Sequence, residues 1–276
     1  MPPVYYLGPE GTFSHILARQ RFGRRAQLIA CPSIDAIFEQ TLATPDAMGL
    51  VPIENSSGGT VYDSVDQLIR LAGKVFLHEE LSLDVRIALL GHREGSVKTV
   101  YSHFTQIKHH TDWLKSRYPG VKMREVVSTA VAAQKAAASK QSAALASPGA
   151  AEVYGLDVLE RPAARHAVNV THFFTIGSKP ATAGADGPTK TAFVAALPNT
   201  CGSLHSFLGP FARQKVSLTR IVSRPVPGQP QTYVFFIEIE GGLEDVPVAK
   251  ALARAEALSV NLINLGTYPL SQRYKS

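Results

Sequence analysis

Cysteine is nearly absent from the 276-residue sequence: only Cys31 and Cys201 occur, far apart and in no CxxC or Cys/His spacing. A disulfide framework and a zinc ribbon are excluded, no metal site is expected, and a reducing cytoplasm is the simplest compartment. Long apolar runs are missing too. No stretch approaches the roughly 18 residues of a membrane span. The opening segment, Met1-Pro2-Pro3-Val4-Tyr5-Tyr6-Leu7, carries no charged region and no cleavage site, so it reads as a short strand rather than a signal peptide. Lys and Arg form no long block and are not interleaved with aromatics. The densest group, Arg19, Arg21, Arg24 and Arg25, has helical spacing and reads as a solvated helix face, so no nucleic-acid partner is expected. Dinucleotide and P-loop fingerprints, HExxH and GxSxG are all lacking, and no cofactor is expected.

What is present is a soluble, globular composition, 45% hydrophobic and 18% charged, long enough for two or three domains. The net charge of +6 suits small anionic ligands once nucleic acid is set aside. Through residue 180, short apolar runs alternate with amphipathic stretches. Strands are expected at 4–7, 47–53, 99–101, 142–146 and 173–177, with an extended connecting strand over 81–90. Helices are expected at 14–22, 34–42, 64–71, 107–117, 129–138 and 149–153. This alternation predicts an α/β domain with largely parallel sheets, in two lobes: about 1–80 plus 161–180, and 81–160. Residues 181–189 read as a linker of small residues, Pro and Gly. From 190 to 276 the order is βαββαβ, a ferredoxin-like arrangement, in which Gly209-Pro210 should kink the first helix.

Ligands of parallel α/β folds sit at strand ends against helix N-termini, so the polar turns are the informative segments. In Gly8-Pro9-Glu10-Gly11-Thr12-Phe13-Ser14-His15, glycines permit close backbone approach, and Thr12 and Ser14 set hydroxyls at a helix start. Glu54 and Asn55 end a buried strand, an acid beside an amide donor. Ser102-His103 ends another strand, Ser128-Thr129 caps a helix, and Thr171 would project from a strand edge. Each segment reads locally as a turn or a cap. Together they describe a cofactor-free site of hydroxyls, an amide and one carboxylate.

Five segments in order, GPEGTFSH at 8–15, VPIENS at 51–56, VYSH at 100–103, STAVAA at 128–133 and YGLDVLE at 154–160, resemble prephenate dehydratases. Gly202-Ser203-Leu204, Leu218-Thr219-Arg220 and Ser223-Arg224-Pro225 resemble the ACT domain that follows in that family. The resemblance implies a type 2 periplasmic-binding-protein-like catalytic domain over 1–180 and an ACT regulatory domain over 190–276. It also implies a cytoplasmic homodimer or homotetramer with phenylalanine bound at ACT interfaces. The implied reaction, in phenylalanine biosynthesis, converts prephenate to phenylpyruvate, water and carbon dioxide. Thr171, Glu54 and Asn55 would be catalytic, and Thr12, Ser14, Ser56, Ser102, Thr129, His172 and Phe173 would contact substrate. Asn199, Gly202, Ser203, Leu204, Ser223, Arg224 and Pro225 would hold the effector.

The sequence departs from that pattern at defined points. The family's TRF reads Thr171-His172-Phe173, its later Gln position falls near His109, and its ESRP reads Val222-Ser223-Arg224-Pro225. Histidine cannot fork two hydrogen bonds onto a carboxylate as arginine does, and Val222 offers no acid to an effector's ammonium group. Two alternatives follow: a non-aromatising prephenate decarboxylase, motivated by His172 and His109, and a non-catalytic amino-acid sensor.

Overall fold

The computed structural model describes residues 2–23, 25–162, 169–181, 187–226, 228–229 and 231–276, with side chains other than those of 271 and 272. Arg24 of the basic group and most of the expected linker lie outside these residues.

The chain opens with β1 (Val4–Leu7), α1 (Phe13–Phe22), β2 (Leu28–Cys31), α2 (Ile34–Ala43), β3 (Met48–Asn55), β4 (Gly59–Thr60), α3 (Tyr62–Arg70) and β5 (Phe76–Asp84). Thr12 and Ser33 cap α1 and α2 by accepting the N–H three residues on. In β3, Leu50, Val51 and Ile53 are fully buried, because α1 packs on one face of the sheet and α2 and α3 on the other.

A second sheet contains β6 (Ala88–Gly91), β7 (Thr99–Ser102), β8 (Lys122–Glu125), β9 (Ser142–Ala146) and β10 (Asp157–Glu160). Between its strands run α4 (Phe104–Arg117), α5 (Thr129–Ala137) and the short α6 (Gly149–Tyr154). The chain then returns to the first sheet as β11 (Val170–Gly177), between β3 and β5. Two sheets joined by an outgoing and a returning segment make the two lobes of a periplasmic-binding-protein-like fold.

The last unit runs β12 (Thr189–Ala196), α7 (Ser203–Arg213), β13 (Leu218–Pro225), β14 (Tyr233–Glu240), α8 (Val246–Glu256) and β15 (Asn261–Lys275). Its strand order, β13-β14-β12-β15, is ferredoxin-like. Phe193, Phe207, Phe211, Ile237 and Val248 fill its core under the two helices. β15 continues past β12 and pairs in parallel with β5, so one sheet of ten strands spans both units. At the crossing, Gly266 (φ +124°) passes Leu77 so closely that an added Cβ would stand 2.9 Å from its carbonyl oxygen. On one face, Phe174, Val51 and Leu77 share a hydrophobic core with Phe236 and Tyr268 of the ferredoxin-like unit.

Several expectations need correction. The sheets are mixed rather than largely parallel, since β11 runs antiparallel to both neighbours and β6 to both of its own. Residues 81–90 are two strands, because pairing with β11 and β15 holds β5 in the first sheet to Asp84. Thr171 lies in a central strand, not at a strand edge. Helix α7 continues through Pro210, which is buried against the core. No helix among the described residues is long and apolar enough to cross a membrane.

Candidate functional site

Strand β3 extends to Asn55, two residues beyond its apolar run, and the pleat divides the expected acid–amide pair. Asn55 stands opposite Thr171 on β11, and Glu54 stands opposite His172. Neighbouring positions of a strand face opposite sides of the sheet. Asn55 and Thr171 therefore share one face, while Glu54 and His172 share the other.

On the first face, Asn55 Oδ1 accepts the N–H groups of Ser57 and Gly58 at 2.9 and 2.8 Å. This fixes which end of the amide donates. Nδ2 then donates to Asn169 Oδ1 and to Thr171 Oγ1, both at 2.8 Å. No acceptor among the described residues takes the hydrogen of the Thr171 hydroxyl. Thr171 is 9% exposed, and that hydrogen is open to a group brought against it.

The turn after β1 is held by its own hydrogen bonds. Thr12 Oγ1 accepts from His15 N–H at 3.2 Å and donates to the Leu7 carbonyl at 2.9 Å. His15 Nδ1 accepts the Gly11 N–H at 2.9 Å, and its ring stacks on Tyr6. Burial pushes the His15 pKa down, which suits a ring nitrogen that must accept. Across from the turn, Tyr154 on α6 donates to the Glu10 carbonyl at 2.6 Å, and a Cβ on Gly11 would meet its ring at 2.7 Å. The second lobe therefore closes directly on this turn.

The expected substrate-contacting residues separate into two groups. Ser14 and Thr129 stand at the starts of α1 and α5, with hydroxyls that make no hydrogen bond among the described residues. The hydroxyls of Thr12, Ser56 and Ser102 hold the backbone: Ser56 accepts the Val170 N–H at 3.0 Å, and buried Ser102 donates to the Leu145 carbonyl at 2.6 Å. Phe173 is 1% exposed and packs with Tyr6, Leu17 and Leu81, so it is a core residue and not a ligand contact.

On the opposite face lies a charged cluster of which sequence reasoning found only Glu54 and His172. His172 Nδ1 is 3.2 Å from Ser82 Oγ and 3.3 Å from Glu80 Oε1. Lys190 Nζ reaches Glu80 Oε2 at 2.6 Å and Glu238 Oε1 at 3.5 Å, and the Tyr268 hydroxyl donates to Glu238 at 2.7 Å. Arg220 binds Glu54 at 2.9 Å and also contacts Glu238. Burial would raise the pKa of Glu80, but hydrogen bonds from His172 and Lys190 and the charges of Lys190 and Arg220 outweigh it, to about 2. Burial and the nearby Glu80 raise that of Tyr268. An isolated charge inside an apolar strand, as Glu238 is in Phe235-Phe236-Ile237-Glu238-Ile239, was the available signal.

Of the expected effector residues, Asn199 and Gly202 lie in the loop before α7, where Gly202 has φ +80°, and Ser203 and Leu204 open that helix. Ser223 and Pro225 lie on β13. Arg224 is engaged elsewhere: it grips Asp66 on α3 with two bonds of 2.5 and 2.7 Å and lies over Tyr62. Val222, on the same face, is buried in the shared core, where an acid would lose its water.

Comparison with known proteins gives a consistent result. The family model described as prephenate dehydratase matches residues 4–181. The chain is 35% identical to a bifunctional chorismate mutase/prephenate dehydratase of Stutzerimonas stutzeri, over 96% of this chain and 73% of that protein. Among solved structures, prephenate dehydratase of Arthrobacter aurescens in complex with L-Phe superposes with a TM-score of 0.86 at 28% identity, covering 96% of this chain and 89% of that one. GqqA, a novel type of quorum quenching acylase, superposes with a TM-score of 0.87 at 25% identity, covering 98% of each chain.

Proposed function

The chain belongs to the prephenate dehydratase family, and on that premise we propose that it converts prephenate to phenylpyruvate with the Thr171 hydroxyl meeting the departing hydroxide. The observation that carries this reading is the 2.8 Å bond from Asn55 Nδ2 to Thr171 Oγ1. By occupying the oxygen as an acceptor, the amide turns the hydroxyl hydrogen outward as a donor.

The prephenate dianion loses its ring carboxylate as carbon dioxide. The electron pair of the broken C–C bond moves through the ring and expels the para hydroxyl as hydroxide. The ring becomes aromatic, and the phenylpyruvate anion remains. Aromatisation drives the step, so the protein has only to orient the dianion and stabilise the leaving oxygen. The Ser14 and Thr129 hydroxyls, each at a helix start in a different lobe, suit the substrate's carboxylates.

His172 faces away from Thr171, so the TRF-to-THF change leaves the reacting face intact. This supports dehydration over decarboxylation without aromatisation. Incubation with prephenate should yield phenylpyruvate, read by its ultraviolet absorbance in alkali. A decarboxylated product that keeps the hydroxyl oxygen, seen by mass spectrometry, would overturn the reading.

The ferredoxin-like unit fits an ACT regulatory domain, with L-phenylalanine as its effector near the Asn199–Leu204 segment and the outer face of β13. Ile221 on the edge strand β13 and Tyr233 beside it on β14 are 45% and 49% exposed, which suits pairing into a homodimer or homotetramer. Free thiols at Cys31 and Cys201 fit the cytoplasm.

A further inference from the structure

Arg220 leaves β13 of the ferredoxin-like unit and ends among carboxylates from three other strands. Its Nε donates to Glu54 Oε2 on β3 at 2.9 Å. Nη2 lies 3.6 Å from Glu80 Oε1 on β5, and Nη1 meets Glu238 Oε2 on β14. The guanidinium sits over the Phe174 ring on β11, with Cζ 5.7 Å from its centroid. The side chain is 9% exposed. A buried planar fork held on three sides has one orientation, and it passes that orientation to whatever it grips.

Of its partners, Glu80 and Glu238 are 2% and 0% exposed and held by other bonds, whereas Glu54 is 40% exposed. Arg220 thus acts as the anchor of Glu54. The residue that follows Glu54 is Asn55, whose amide directs the Thr171 hydroxyl. Arg220, Val222 and Arg224 share the inward face of β13, so the strand docks at two charged points, Glu54 and Asp66. Only the first adjoins Asn55.

We propose that Arg220 is a positioning residue for the Thr171 site: by gripping Glu54 it fixes the end of β3, and with it the direction of the Asn55 amide. A unit outside the two lobes thereby sets turnover without touching substrate. The proposal rests on reading Thr171 as the hydroxyl that meets the leaving group.

The test uses the full chain with prephenate and the variants Arg220→Lys, Arg220→Met, Glu54→Ala, the Arg220→Lys/Glu54→Ala pair and Thr171→Ala. Arg220→Lys keeps a cation in the cluster, so circular dichroism should be unchanged even where Arg220→Met fails to fold. Its kcat should fall about tenfold while KM changes less than about twofold. Glu54→Ala should give a similar loss, and the pair should lose no more than either single change, because both break one contact. Wild-type kcat in Arg220→Lys, with Thr171→Ala inactive, overturns the positioning role and leaves the Thr171 reading standing. Losses that multiply in the pair overturn the route through Glu54. Full turnover in Thr171→Ala removes the site itself, and the route to it.

Discussion

Asn55 Nδ2 stands 2.8 Å from Thr171 Oγ1, so a neutral amide, not an acid, decides which way the hydroxyl hydrogen points. Replacing Asn55 with Asp tests this directly. Asp still accepts the Ser57 and Gly58 N–H groups, so the loop is retained. It cannot donate, and instead draws the Thr171 hydrogen onto itself. Turnover of Asn55→Asp should fall by about a hundredfold or more, the loss of one preorganised donor to a developing anion. Steady-state kinetics with prephenate reads it, and unchanged kcat would remove the amide from the mechanism.

His172→Arg restores the family's TRF triplet. The side chain meets Glu80 and Ser82 on the face away from Thr171. We expect kcat within about threefold of the original, with the same product. A switch of product, or a much larger rate change, would place residue 172 in the chemistry.

Three groups make stability depend on pH, in two separate windows. His15 has a folded pKa held below 6.5 by burial, against the pull of Glu10. Below 6.5 the unfolded chain takes up a proton that the folded chain resists, so stability falls as pH drops. His110, also lowered by burial, acts in the same direction. Glu80 titrates near 4.5 when unfolded and at about 2 when folded, so its contribution is present above 4.5 and lost as pH falls toward 2. Urea midpoints between pH about 7 and about 5 should decline, and His15→Asn, which keeps an acceptor for Gly11 N–H, should flatten part of that slope. An equally steep slope in the variant would assign the decline to His110.

Val222→Glu restores the acid of ESRP. Val222 is 8% exposed beside apolar neighbours of the shared core, so the substitution buries a carboxylate. It should cost about 2 kcal/mol or more and lower the melting temperature. Undiminished stability would mean that β13 can lift away from the first unit.

Much of the architecture was legible in the sequence. The apolar runs of β3 and β9, the hydroxyls at the start of α1 and the Ser128 cap of α5 marked real elements, and the βαββαβ order of the last unit followed from periodicity alone. Pairing was less legible, because period-two patterning reports which face is buried and not which neighbour provides the burial. Ending β3 at Ile53 made Glu54 and Asn55 look like one polar turn; two more paired residues place them on opposite faces. The charged cluster was hidden for a different reason. Lys190, Arg220 and Glu238 are far apart in sequence and come together as the ferredoxin-like unit folds, and only its docking brings them to Glu54, Glu80 and His172.

β15 serves both units at once. Its hydrogen bonds to β12 and to β5 lie on one continuous backbone, and Gly266 marks the point where it passes from one to the other. A shared strand resists sliding, because sliding would break ladder bonds to both units together. The last unit is therefore laced to the first lobe by backbone as well as by side chains, and parting them would mean unzipping β15 from β5.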